Sequence, residues 1–129
     1  MTLFEIVAFY LAVNLILAPL LMFRVGQIRI GKKINLGDGG DEELFSRIRA
    51  HGNFIENAPL LLLGLFALAS LSAHPLLLHI FGATFTLGHI CHACGMAKVF
   101  KQGRLVGTLS AIVSYFGIAI SLIYLIIFT

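Results

Sequence analysis

Arg47 to Leu63 reads RIRAHGNFIENAPLLLL. Two arginines, a histidine, two asparagines and a glutamate run into a wholly apolar stretch, with nothing between them that reads as a turn. Of the chain's 129 residues, 59% are hydrophobic and only 12% charged, and the mean hydropathy is +0.98. That composition lies outside the range of soluble domains and reads as an integral membrane protein.

Four apolar segments approach the ~20 residues that a ~30 Å hydrocarbon core requires: Ile6 to Phe23, Ala58 to Ala73, Pro75 to Ala97 and Leu105 to Thr129. The second is short. Its 16 residues cover roughly 24 Å, so its helix has to continue back through Asn57, Glu56 and Asn53 to cross. Polar groups of the opening stretch are therefore expected inside the membrane boundary. The predicted fold class is all-α: a four-helix integral membrane bundle forming one domain over residues 1–129.

The first five residues, MTLFE, carry Glu5 and no Lys or Arg, and the run after them exceeds a usual signal sequence, so it reads as a retained span. All nine Lys and Arg fall between Arg24 and Arg49 or between Lys98 and Arg104, the connections after spans one and three. The positive-inside rule then places both connections in the cytoplasm and both termini outside. The formal charge of +3 reads as topology plus attraction for anions, and nothing in it points to nucleic acid. The first connection, RVGQIRIGKKINLGDGGDEELFSR, is the long polar one; GDGG is a turn signal, and Asp41, Glu42 and Glu43 suit a helix's first turn. The small-x-x-x-small pairs Gly107/Ala111, Ser110/Ser114 and Gly117/Ser121 permit close helix approach, either within one subunit or between subunits.

On a helix, Arg49, Asn53 and Glu56 fall at i, i+4 and i+7, within ~60° of one another, with Ser46 and Gly52 at the edges of the face. Arg47 and His51 point the opposite way. One reading makes Arg49 and Glu56 an ion bridge that locks helices together, with Asn53 as an interhelical hydrogen bond. The other follows from the expense of ionisable groups in membranes, which makes them candidates for function. A cation, an amide and a carboxylate in one line form a receptor for a small zwitterion: Arg49 for a carboxylate, Glu56 for an ammonium, Asn53 for a peptide edge.

GDGGDEELFSRIRAHGNFIENAPL resembles the signature of the MAPEG family (membrane-associated proteins in eicosanoid and glutathione metabolism). There an Arg-x-x-x-Asn-x-x-Glu stripe is followed by Pro three residues after the Glu, here Pro59. The similarity is greatest to the small bacterial branch and extends over nearly the whole chain, including a basic third connection that ends in Arg104. The resemblance implies a homotrimer in the bacterial inner membrane, binding glutathione as co-substrate between subunits on the cytoplasmic side. It implies Arg49, Asn53 and Glu56 as ligand groups of one subunit, and His51 from its neighbour in the place of a glutamine. Arg24 matches a loop-proximal arginine, with Arg29 as competitor, and Arg104 matches the arginine that stabilises the thiolate. Asn57, Ala93 and Ala97 stand where the eukaryotic enzymes carry tyrosines, Asn57 on the implied ligand wall, and His89 stands where bacterial relatives commonly carry arginine.

GHICHACGM, with His89, Cys91, His92 and Cys94, raises a metal or redox reading. At ~100° per residue the histidines share one face and the cysteines the other, so one helix cannot gather all four. No metal is expected, and the cysteines read as small packing residues. His92 lies on the face able to look toward the stripe.

The expected function is glutathione transfer to, or glutathione-dependent reduction of, small lipophilic electrophiles arriving through the lipid. The alternatives are a non-catalytic lipid-binding scaffold and a thiol redox protein built on Cys91 and Cys94. For the topology, a cysteine introduced at Gly39 is expected to react with an impermeant maleimide only from the cytoplasmic side; labelling from outside would invert the orientation.

Overall fold

Four helices follow in order in the computed structural model, which describes residues 1–128: α1 (Leu3–Lys32), α2 (Glu42–Ser70), α3 (Pro75–Met96) and α4 (Gly103–Phe128). All four are long and apolar enough to cross a membrane. The expected end of the fourth span, Thr129, lies outside the described residues.

The helices outrun the apolar segments. A capping box starts α1: Glu5 N–H donates to Thr2 Oγ1 (3.3 Å) and Thr2 N–H to Glu5 Oε2 (2.8 Å). The helix then runs past Phe23 through the basic residues and stops at Lys33, which takes the left-handed conformation (φ 56°). At the other side Asp41 caps α2, accepting from Leu44 N–H at 2.8 Å. The stretch expected as one long connection is therefore mostly helix, and only residues 33–41 are irregular. Arg29 folds over this turn and donates to Gly37 O at 2.8 Å. Lys32 clips the two helix ends through Asp41 (2.6 Å) and Glu43 (3.2 Å). The Lys32 ammonium, helped by the Leu44 N–H, holds the Asp41 carboxyl below its ordinary range, so this clip is intact at neutral pH and weakens as pH falls through that lowered value.

Because α2 begins at Glu42, the residues of RIRAHGNFIEN and the apolar run lie on one continuous helix. Its 29 residues span about 43 Å. That exceeds a ~30 Å hydrocarbon core, so the polar first turns lie at or beyond its edge.

The interior is closed by Phe54, Leu61, Leu65, Leu68, Leu78 and Phe85, each at most 2% exposed. Polar bonds fasten α1 to α3 within it. Buried Asn14 donates from Nδ2 to Thr86 Oγ1 (2.9 Å) and to Tyr10 O (2.8 Å), and the Tyr10 hydroxyl meets His79 Nδ1 at 3.1 Å.

The α3–α4 pair is the closest in the molecule. A Cβ at Gly95 would lie 2.9 Å from Gly103 Cα, and one at Gly107 would lie 2.6 Å from Gly88 O and 3.0 Å from His92 Cα. Ser114 is fully buried, and a Cβ at Gly117 would collide with the Phe81 ring. Of the small residues of α4, Gly107, Ser110 and Gly117 lie against α3 within the chain. Gly107→Val is expected to destabilise the fold by about 1–3 kcal/mol through forced separation of α3 and α4, whereas Ile112→Val on the exposed face is near silent; thermal unfolding of both variants in detergent checks this.

Candidate functional site

Three helices bring four of the expected residues to one pocket. Arg49 and Asn53 come from α2, His92 from α3 and Arg104 from the first turn of α4, with Phe45, Met96 and Thr108 completing the walls of a 240 Å³ cavity. The glycine contacts explain the convergence. With Gly103 against Gly95 and Gly107 against His92, the start of α4 is pressed onto the end of α3, so Arg104 emerges beside His92. Thr108, one turn on, donates its hydroxyl to Arg104 O at 2.9 Å. Two guanidinium groups and an imidazole line this cavity and, among the described residues, no carboxylate does, a lining whose charge suits anionic groups.

Glu56 stands outside the cavity. Its Oε1 lies 3.7 Å from Arg49 Nη1, and the two side chains are 61% and 47% exposed. Gly52 sits beside both, where a Cβ would make ordinary contacts of 3.6 Å with the guanidinium and 3.7 Å with the carboxylate. Arg49 thus borders the cavity while reaching the exposed Glu56 outside it, and Ile55 and Leu60 on the same helix are exposed as well.

Asn57 is held within the chain. Its Nδ2 donates to Asn53 O at 2.6 Å, and the Tyr115 hydroxyl of α4 reaches Asn57 Oδ1 (2.9 Å) and Asn57 O (3.0 Å). Tyr115 was not singled out by the sequence reading. It lies on the same face of α4 as Arg104 and Thr108, eleven and seven residues earlier, and continuing that face would have found it. Beyond it an apolar groove of 370 Å³ runs between α2 and α4 to Leu122.

The other expected residues do not reach the cavity. His51 is half-buried on the opposite face of α2. Arg24 is half-buried on α1, close enough to Arg47 for their charges to repel. Arg29 is occupied by the loop carbonyls of Ile34, Asn35 and Gly37. His89 is sealed in, with Nδ1 3.1 Å from Phe85 O and its ring packed 4.2 Å from that of Phe85 and 5.6 Å from that of Phe54. Cys91 and Cys94 are half-buried free thiols, and among the described residues no three His, Cys, Asp or Glu side chains converge to hold a metal ion.

The Tyr115 bridge carries a direct expectation. Tyr115→Phe should cost about 1 kcal/mol of stability, and Asn57→Ala in that background should cost less than in the parent. A double-mutant cycle of unfolding free energies showing no coupling beyond about 0.5 kcal/mol would remove the bridge from the site's support.

The model of the MAPEG family matches residues 7–124. The chain is 30% identical over 98 residues to the Inner membrane protein YecN of Escherichia coli strain K12, covering 75% of each chain, and equally to the same-named protein of Escherichia coli O6:H1. No solved structure matches.

Proposed function

The chain belongs to the MAPEG family, and on that premise we propose that this integral, multi-pass membrane protein is a glutathione-dependent transferase or peroxidase acting on small lipophilic electrophiles. The observation that carries this reading is the carboxylate-free cavity in which Arg104, Arg49 and His92 meet at the ends of three helices. Such a cavity favours an anionic ligand whose thiol becomes thiolate. A free thiol with a pKa of ~8.5 is mostly protonated at neutral pH, and a guanidinium beside it favours the nucleophilic form. In transfer, the thiolate sulfur attacks an electrophilic carbon, the new S–C bond forms, and the leaving group departs with its electron pair. In reduction of a hydroperoxide, two glutathione molecules become one disulfide as the peroxide becomes an alcohol and water.

The outward Arg49–Glu56 pair supports an oligomer. An ion pair on the outer face of a spanning helix is poorly accommodated by lipid and well accommodated against a second copy, where Glu56 takes the ligand's ammonium and Arg49 its carboxylate. In this reading the assembly is a homotrimer, His51 and Arg24 reach the ligand from the neighbour, the site lies on the cytoplasmic side of the inner membrane and both termini lie outside. A non-catalytic lipid-binding role is the second reading, favoured by the apolar groove that runs on from Tyr115.

The Arg104 series separates the two. Adding glutathione to the purified protein is expected to produce thiolate absorption at neutral pH. Arg104→Ala should still bind glutathione with modestly lower affinity, but its thiol pKa should return toward the solution value and turnover should fall at least tenfold, each pKa unit being ~1.4 kcal/mol of thiolate preference. Arg104→Lys keeps the charge without the fork of donors and should fall between. Absence of any thiolate signal in the parent would leave the lipid-binding reading; an alanine variant with unchanged thiol pKa and turnover would take Arg104 out of the chemistry.

A further inference from the structure

Arg47 lies on the face of α2 opposite Arg49, against the end of α3, with its side chain only 16% exposed. Its Nε and Nη1 are buried and have no hydrogen-bond partner among the described residues. The carboxylate that approaches it, Glu43, is 3.8 Å from Nη2, beyond hydrogen-bond length, and accepts from Lys32 at 3.2 Å. Arg24 adds a second positive charge nearby. A guanidinium stays charged in proteins, so burying one whose approaching carboxylate stands at 3.8 Å and is shared with Lys32 is unfavourable.

A 310 Å³ pocket opens beside it, walled by Glu43, Ser46, Arg47, Met96, Ala97 and Lys98. Lys98 is held at the rim because the chain turns there in the left-handed conformation (φ 60°), with its N–H donated to Gly95 O at 3.0 Å. The lysine's ammonium is 81% exposed on its side chain and has Glu42 as a distant companion at 3.9 Å. The next two residues, Val99 and Phe100, are exposed and apolar. Apolar side chains beside a lysine at the end of a spanning helix suit the level where headgroups meet hydrocarbon.

We propose that this pocket binds a phosphate-type oxyanion, supplied by an anionic phospholipid headgroup or by free phosphate, with Arg47 and Lys98 as its cations and Ser46 as a hydroxyl donor. Glu43 on the wall shares Lys32 with Asp41, and the lining sets two cations, Arg47 and Lys98, against that one carboxylate. An arginine and a lysine around one small cavity match a group that carries more than one charged oxygen. The pocket occupies the other face of α2 from the Arg104 cavity and does not depend on the glutathione reading.

The test is thermal unfolding of the purified protein in phosphate-free detergent with phosphatidylcholine, titrated separately with phosphatidylglycerol and with inorganic phosphate. Without added anion, Arg47→Leu is expected to match or exceed the parent, because it removes a buried guanidinium whose Nε and Nη1 donors are unmet. With anion, the parent's Tm should rise saturably while that of Arg47→Leu does not. Lys98→Gln, altered only at an exposed side chain, should fold as the parent does and need several-fold more ligand. A shift with phosphatidylglycerol assigns the headgroup, and a shift with inorganic phosphate assigns the free ion. Absence of a saturable shift with either, or an equal shift in the parent and Arg47→Leu, overturns the proposal. Should Arg47→Leu fail to insert, an unchanged midpoint in Lys98→Gln overturns it alone.

Discussion

The polar end of this molecule depends on the approach of α3 to α4. Gly88 and Gly95 on one helix face Gly107 and Gly103 on the other, at separations where a single methyl group would strike backbone at Gly95, Gly103 or Gly107 and the Ser110 side chain at Gly88. In lipid, helices gain little from burying apolar surface against each other, so contact of this kind rests on dispersion between closely fitted backbones. Its chemical consequence is positional: α4 starts beside His92, and Arg104 on its first turn is delivered to the cavity that Arg49 and Asn53 enter from α2. A looser pairing would leave the same arginine at the membrane surface.

The second constraint is the length of α2. A helix of 29 residues holds its polar first turns and its apolar run in one rigid rod, so each polar residue has a fixed depth and direction. Arg49 and Asn53 line the cavity with α3 and α4, Glu56 lies outside it 3.7 Å from the Arg49 guanidinium, and Arg47 turns to the end of α3. Two arginines separated by a single residue thus serve different surroundings. One lines a cavity without carboxylates; the other is buried with donors unmet.

Tyr115 joins these elements from the fourth side. Its hydroxyl ties α4 to the backbone and amide of Asn57, whose own amide holds Asn53 O. The polar end of the α2–α4 contact and the apolar groove beyond it meet at this one side chain, which fixes the height at which the site gives way to hydrocarbon.

Composition, apolar segment lengths and the placement of lysine and arginine were enough to give four spanning helices, because each is a local consequence of what water and lipid tolerate. The Arg49, Asn53 and Glu56 stripe was legible for the same reason, since helical spacing fixes the direction of residues on one rod. Directions between rods are set by packing. That the small residues of α4 seat on α3 within the chain, that Glu56 faces out while Asn53 faces in, and that Asn57 is bound by Tyr115 all depend on how α2, α3 and α4 cross. The start of α2 was legible in the acidic residues Asp41, Glu42 and Glu43, whereas the end of α1 was misjudged over Arg24 to Lys32, because hydropathy marks where the apolar slab stops and the cap at Lys33 decides where the backbone stops being helical.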